Sequence, residues 1–133
     1  MPNHYHLLIE TPQPNRGAGM HVLNLSYARH FNWRNDRVGH VFQGPYKTVH
    51  ITRDAHLMEL SRYLAMNPVR AGLGADPADW PWSSYRATAG LEHSPPYLHV
   101  DRMRAYFAWA RSNGTDEFRD FVAAATVTLA LAA

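Results

Sequence analysis

Only two stretches of this 133-residue chain carry a β-strand pattern, and that scarcity constrains its fold more than any other feature. Residues 4–10, with Leu7, Leu8 and Ile9, read as a largely buried strand. Residues 45–52, Pro-Tyr-Lys-Thr-Val-His-Ile-Thr, alternate as a second one. A two-stranded ribbon is marginal in water unless helices or further strands cover it. Everything else reads as helix or loop. Residues 11–19 hold two prolines and two glycines and predict a loop. From Met20 to Trp33 the positions Val22, Leu23, Leu25, Tyr27 and Phe31 approximate helical spacing. Residues 35–44 are turn-rich. Asp54 is placed to cap a helix running through Asn67, with Leu57, Leu60 and Leu64 on its apolar face, and Pro68 is expected to end or redirect it. Residues 72–84 predict a loop, with a short helix following to Ala89. After Pro95-Pro96, two C-terminal helices are expected over 101–112 and 115–131, divided by Asn113-Gly114. The expected class is α+β.

Composition narrows the chemistry. With 46% apolar residues the chain is globular and of single-domain size. It has no cysteine, which excludes disulfides and thiolate metal sites, so a metal would be held by His, carboxylate or amide oxygen. No run of about 18 apolar residues is present, so no membrane span is expected, and the apolar stretch 122–133 reads as the end of a packing helix. Without a basic and then apolar opening segment no signal peptide is visible, and a cytoplasmic location is the default. Of the 13 basic residues all but Lys47 are Arg. Arg offers a planar fork to phosphate and stacks on bases, a bias toward nucleic acid. Arg29, Arg34, Arg37 and Lys47 flank the turn-rich stretch and are candidate phosphate contacts. Trp80, Trp82 and Tyr85 are open to either base stacking or core packing.

Two local patterns carry reactive side chains. On a strand, His4 and His6 share one face about 7 Å apart, with Tyr5 on the other, and two imidazoles so placed can grip one ion from one side. In the helix that follows, Tyr63 and Asn67 stand one above the other, with Glu59 one turn earlier on the same stripe. Asn67 offers an amide oxygen suited to a hard ion such as Mg²⁺ or Mn²⁺, and Tyr63 offers a phenolic nucleophile. From the residues alone the simpler alternative prevails: two strand histidines that only hydrogen-bond and a tyrosine that only packs, with Asn67 a C-terminal helix residue before Pro68.

The segments MPNHYHLLIE, FNWRNDRVGHVFQGPYK, RYLAMNPVRAGL and DWPWSSYRATAG, in this order, closely resemble the single-tyrosine HUH transposases, and among them the REP-associated tyrosine transposases of bacteria. The resemblance is strong over residues 1–90 and loose over the C-terminal helices. It implies a ferredoxin-like core, an antiparallel sheet flanked by helices over 1–90, with a helical extension over 91–133. It also implies that His4 and His6 bind the metal, that Asn67 completes the site, and that Tyr63 is the nucleophile. The implied activity is metal-dependent nicking and joining of single-stranded DNA at hairpin-forming, REP-like palindromes through a 5′-phosphotyrosine. Such a protein would work near the bacterial nucleoid, as a monomer or homodimer. Glu59 is a candidate to receive the phenolic proton.

The chain departs from that pattern at its front. Relatives usually carry a further segment, supplying the first strand or strands and a helix, before Met-Pro-Asn-His, which here begins the sequence. The resemblance therefore predicts an N-terminally incomplete sheet and leaves a second outcome, an inactive remnant that only binds DNA. Pro45 also stands where relatives often have Arg, and Ala65 where they often have a bulkier residue.

Overall fold

The computed structural model describes residues 1–109 and 112–131, with side chains as far as Ala125. Regular structure among the described residues is helical throughout: α1 (Arg16–Arg34), α2 (Asp54–Arg70), a 3-10 turn (Pro77–Asp79), α3 (Tyr85–Thr88), α4 (Val100–Ala105) and α5 (Thr115–Leu131). This corrects the expected α+β, ferredoxin-like sheet: neither residues 4–10 nor residues 45–52 form a strand. Alternation specifies which side chains share a face, but a ladder also needs a second backbone to accept and donate hydrogen bonds. Neither segment pairs with one, and Tyr5, Leu7, Ile9 and Val49 are left exposed.

The chain forms two compact units, one of Met1–His6 with Ile51–Ala133 and one of Leu7–His50. In the first unit, α2 packs on α5. Ala65 and Met66 of α2 meet Phe118, Val122 and Ala125 of α5, joined by Tyr85, Ala89 and Phe107. The α5 positions recur at four and three residues, one stripe of a helix. Met66 and Val122 are the largest fully buried side chains, each contributing on the order of 1.5–3 kcal/mol by burial. Phe107 sets its ring edge to Phe118, with centroids 5.3 Å apart. Ser61, Ala65, Met66 and Pro68 are the buried residues of α2, so Glu59, Tyr63 and Arg70 look outward.

The ends of α2 differ from the sequence expectation for definable reasons. The helix begins at Asp54, with Arg53 in the flanking extended position, so Asp54 stands in the first turn, where its charge favours the helix dipole, and caps nothing. Pro68 does not end the helix. It falls in the last turn, where its missing N–H removes a single bond, and the helix closes two residues later. The Gly72 N–H bonds the Val69 carbonyl and the Leu73 N–H bonds the Pro68 carbonyl, each at 2.9 Å, with Gly72 at φ +69°. This paired closure needs a left-handed residue, which glycine supplies at no steric cost.

Further along, the Arg104 guanidinium caps the carbonyls that end α3, donating to Thr88 at 2.8 Å and Ala87 at 2.7 Å. Gly114, at φ +76°, sits where a Cβ would collide with the Arg104 carbonyl. The expected helix over 101–112 is confined to Val100–Ala105, and positions 110 and 111 lie outside the described residues.

In the second unit α1 starts four residues before the expected Met20, taking in Gly17 and Gly19. Met20 is its one buried residue. Residues 35–44 fold back on it: the Asn32 amide donates to the Gly39 carbonyl at 2.9 Å, and Phe42 meets Tyr27 with ring centroids 5.8 Å apart. No helix of the described residues is long and apolar enough to cross a membrane.

Candidate active site

The outward stripe of α2 and the opening residues of the chain come together within the first unit. His4 and His6 meet edge to face, with ring centroids 5.0 Å apart and planes at 88°. His6 in turn meets the Tyr63 ring at 5.9 Å and 79°. The strand geometry that motivated the histidine pair is absent, but the two rings still converge. Two imidazoles on one ion, with nitrogens about 2.1 Å from it and about 90–110° apart, place their centroids roughly 4.5–5.3 Å from each other. The observed spacing falls inside that range.

Each histidine has a distinct environment. The Nδ1 of His4 faces the Asn3 Oδ1 at 2.7 Å. A carboxamide oxygen only accepts, so Nδ1 is the donor in this contact and the ring is oriented by it. Partial burial holds the His6 pKa below the ordinary histidine value, and the positive charges of His4 and the chain's amino terminus push it the same way. All three causes favour the neutral ring, the form that binds a metal. Both residues remain exposed overall.

Tyr63 is 40% exposed. Its hydroxyl makes no hydrogen bond among the described residues. The guanidinium carbon of Arg70, two turns on, lies 5.5 Å from the Tyr63 ring centroid. Glu59, the residue considered for taking the phenolic proton, is instead tied to Arg62 in an ion pair, and Arg62 lies 4.6 Å over the Phe121 ring. His56, Glu59, Leu60, Arg62, Tyr63 and Arg70 line an open concavity of about 330 Å³.

Asn67 is half-buried one turn beyond Tyr63, and its Nδ2 is buried without a hydrogen-bond partner. An unmet buried N–H donor costs on the order of 1–3 kcal/mol, and it is an acceptor, not a cation, that would satisfy it. No cluster of three or more His, Cys, Asp or Glu capable of holding a metal occurs among the described residues. The metal-ligand types that the structure brings together are therefore the two imidazoles, while Asn67 lies on α2 one turn beyond Tyr63.

The remaining sequence candidates lie elsewhere. Arg29, Arg34, Arg37 and Lys47 belong to the second unit and are all exposed, with Arg37 held 5.8 Å over the Phe31 ring. Tyr85 is buried in the core, Trp80 is half-buried and Trp82 is exposed. Arg70 is the neighbour that sequence reasoning missed. Seven residues from Tyr63 is two helical turns on one stripe, but only in a helix that continues past Pro68, where the sequence was expected to end it.

Comparison of the chain with protein-family models, with curated proteins and with solved structures finds no match in any of the three.

Proposed function

We propose that the chain is a metal-dependent nicking and joining enzyme for single-stranded DNA, of the single-tyrosine transposase type, with Tyr63 as the nucleophile. The observation that carries this reading is the gathering of His4, His6 and Tyr63 in consecutive ring contacts, from segments far apart in sequence. The ordered segments resembling the HUH transposases point to the same residues.

His4, His6 and Asn67 would hold a Mg²⁺ or Mn²⁺ ion. Bound there, such an ion supplies charge stabilisation to a phosphate oxygen. The chain's own residues do the rest. Tyr63 Oη attacks phosphorus; the P–Oη bond forms as the P–O3′ bond breaks. The 5′-phosphate stays on Tyr63, and the departing 3′-oxygen takes a proton to become a hydroxyl. The phenolic proton passes to water, since Glu59 is occupied by Arg62. Because the phosphodiester is retained on the protein, a 3′-hydroxyl reverses the reaction and joins strands without a nucleotide cofactor. Hairpin-forming single strands are the expected substrate, as the resemblance implies.

A second reading, a non-catalytic DNA-binding protein, is favoured by one observation: both histidines are exposed on a segment with no strand beside it among the described residues, so little packing fixes them. Misplacing a reacting group by about 1 Å can cost two orders of magnitude in rate. Incubation with labelled hairpin-bearing single strands, in Mn²⁺ or EDTA, separates the two. The enzyme reading expects cutting in Mn²⁺ that stops in EDTA and in Tyr63→Phe. Binding without cutting in either condition selects the second reading.

A further inference from the structure

We infer that Arg70 binds the phosphate presented to Tyr63, an inference that deepens the nicking reading and rests on it for the identity of the ligand. Tyr63 and Arg70 stand two turns apart on the outward stripe of α2, and the guanidinium carbon lies 5.5 Å from the ring centroid. Both line the same open concavity.

Charge accounting on α2 isolates Arg70. Arg62, the other arginine facing the concavity, is paired with Glu59 and stacked on Phe121, so its charge is compensated and its direction fixed. Arg70 makes no ion pair or hydrogen bond among the described residues. Its five N–H donors are uncommitted, in the fork geometry that matches two phosphate oxygens. It is thus a positive charge without an acidic side-chain partner among the described residues, in a cavity that also holds Tyr63. The C-terminal end of a helix carries partial negative charge and repels anions. A cation placed there without an acidic partner is what makes this end of α2 hospitable to a phosphodiester.

The test is carried out first without chemistry. In the Tyr63→Phe chain with EDTA present, affinity for a labelled hairpin-bearing single-stranded oligonucleotide is compared among Arg70, Arg70→Lys, Arg70→Gln and Arg53→Gln. Arg53 flanks the other end of α2 and is exposed, so its loss removes the same charge away from the concavity. The expected result is binding about 10- to 100-fold weaker in Arg70→Gln, with Arg70→Lys intermediate because it keeps the charge but not the fork. Arg53→Gln should change affinity by less than about threefold. Equal weakening in Arg70→Gln and Arg53→Gln, or none in either, overturns the inference. Arg70→Lys also guards against a folding explanation, because it preserves a cation at the helix end. Adduct formation by the Tyr63 chain separates this inference from the parent reading. An adduct that forms equally fast in Arg70→Gln overturns the phosphate role alone. No adduct in the parent, with binding lost selectively in Arg70→Gln, removes the nicking reading and upholds the phosphate site.

Discussion

His6 and Tyr63 meet edge to face with ring centroids 5.9 Å apart, although one opens the chain and the other lies in the middle of α2. Local structure does not bring them together, and the contact joins the residue types that metal-assisted attack on a phosphodiester requires. His4 extends the contact by one ring.

If the two imidazoles share an ion, removing either should weaken Mn²⁺ binding at least about tenfold. His4→Ala and His6→Ala are the direct variants, read by calorimetry or by paramagnetic broadening of the ring protons. Asn3→Ala should cost less, since it only orients His4 through the 2.7 Å contact. Equal Mn²⁺ affinity in His6→Ala would remove the histidine pair from the account.

Glu59 should be dispensable for chemistry. Its carboxylate is held by Arg62, and exposed pairs of this kind contribute little to stability, about 0–1 kcal/mol. Glu59→Gln is expected to nick within about threefold of the parent rate. A loss of about a hundredfold would make it the base after all.

The junction between α4 and α5 depends on Gly114. Alanine there meets both the left-handed backbone, at φ +76°, and the Arg104 carbonyl. Gly72 has a similar φ of +69° but open space around it. Gly72→Ala should cost about 1–2 kcal/mol and Gly114→Ala clearly more, by urea denaturation. Similar losses at both positions would mean that the close approach at Gly114 is relieved cheaply.

Tyr85 links the core to pH. Burial raises its pKa above the ordinary phenol value, and the Asp76 carboxylate adds to the effect while Arg119 opposes it. A raised folded pKa favours the neutral form, so the contribution is fully present below the unfolded value of about 10 and is lost as pH rises through the folded value. Stability should therefore fall above about pH 10, and Tyr85→Phe should flatten that part of the curve. An unchanged slope in the variant would assign the alkaline loss to other groups.

How much was legible in the sequence follows from the range of the interactions involved. The stripe carrying Tyr63 and Asn67 was legible because helical spacing is local, but the face that α2 buries was not: Ser61, Ala65, Met66 and Pro68 are buried, while Leu57, Leu60 and Leu64, expected on the core side, are only half-buried. The run past Pro68 to Arg70 was not anticipated, because a proline in the last turn forfeits only one bond. The strands failed for the opposite reason. Residues 4–10 and 45–52 have the right alternation, but a strand is defined by its neighbour, and no neighbour is encoded within either segment. The approach of His6 to Tyr63 is likewise long-range, and only the resemblance to a known family anticipated it. The buried, unpartnered Asn67 amide could not be read from sequence, since burial of one atom depends on the packing around it.

The most direct test of the central claim is to locate the covalent bond. After reaction with hairpin-bearing single-stranded DNA in Mn²⁺, the protein is digested with trypsin and nuclease, and the nucleotide-modified peptide is sequenced by mass spectrometry. The account predicts a 5′-phosphonucleotide on Tyr63, in the peptide that follows Arg62, with none in EDTA. A modification on Tyr27, Tyr46 or another residue, or hydrolysis of the DNA with no modified peptide at all, would contradict it.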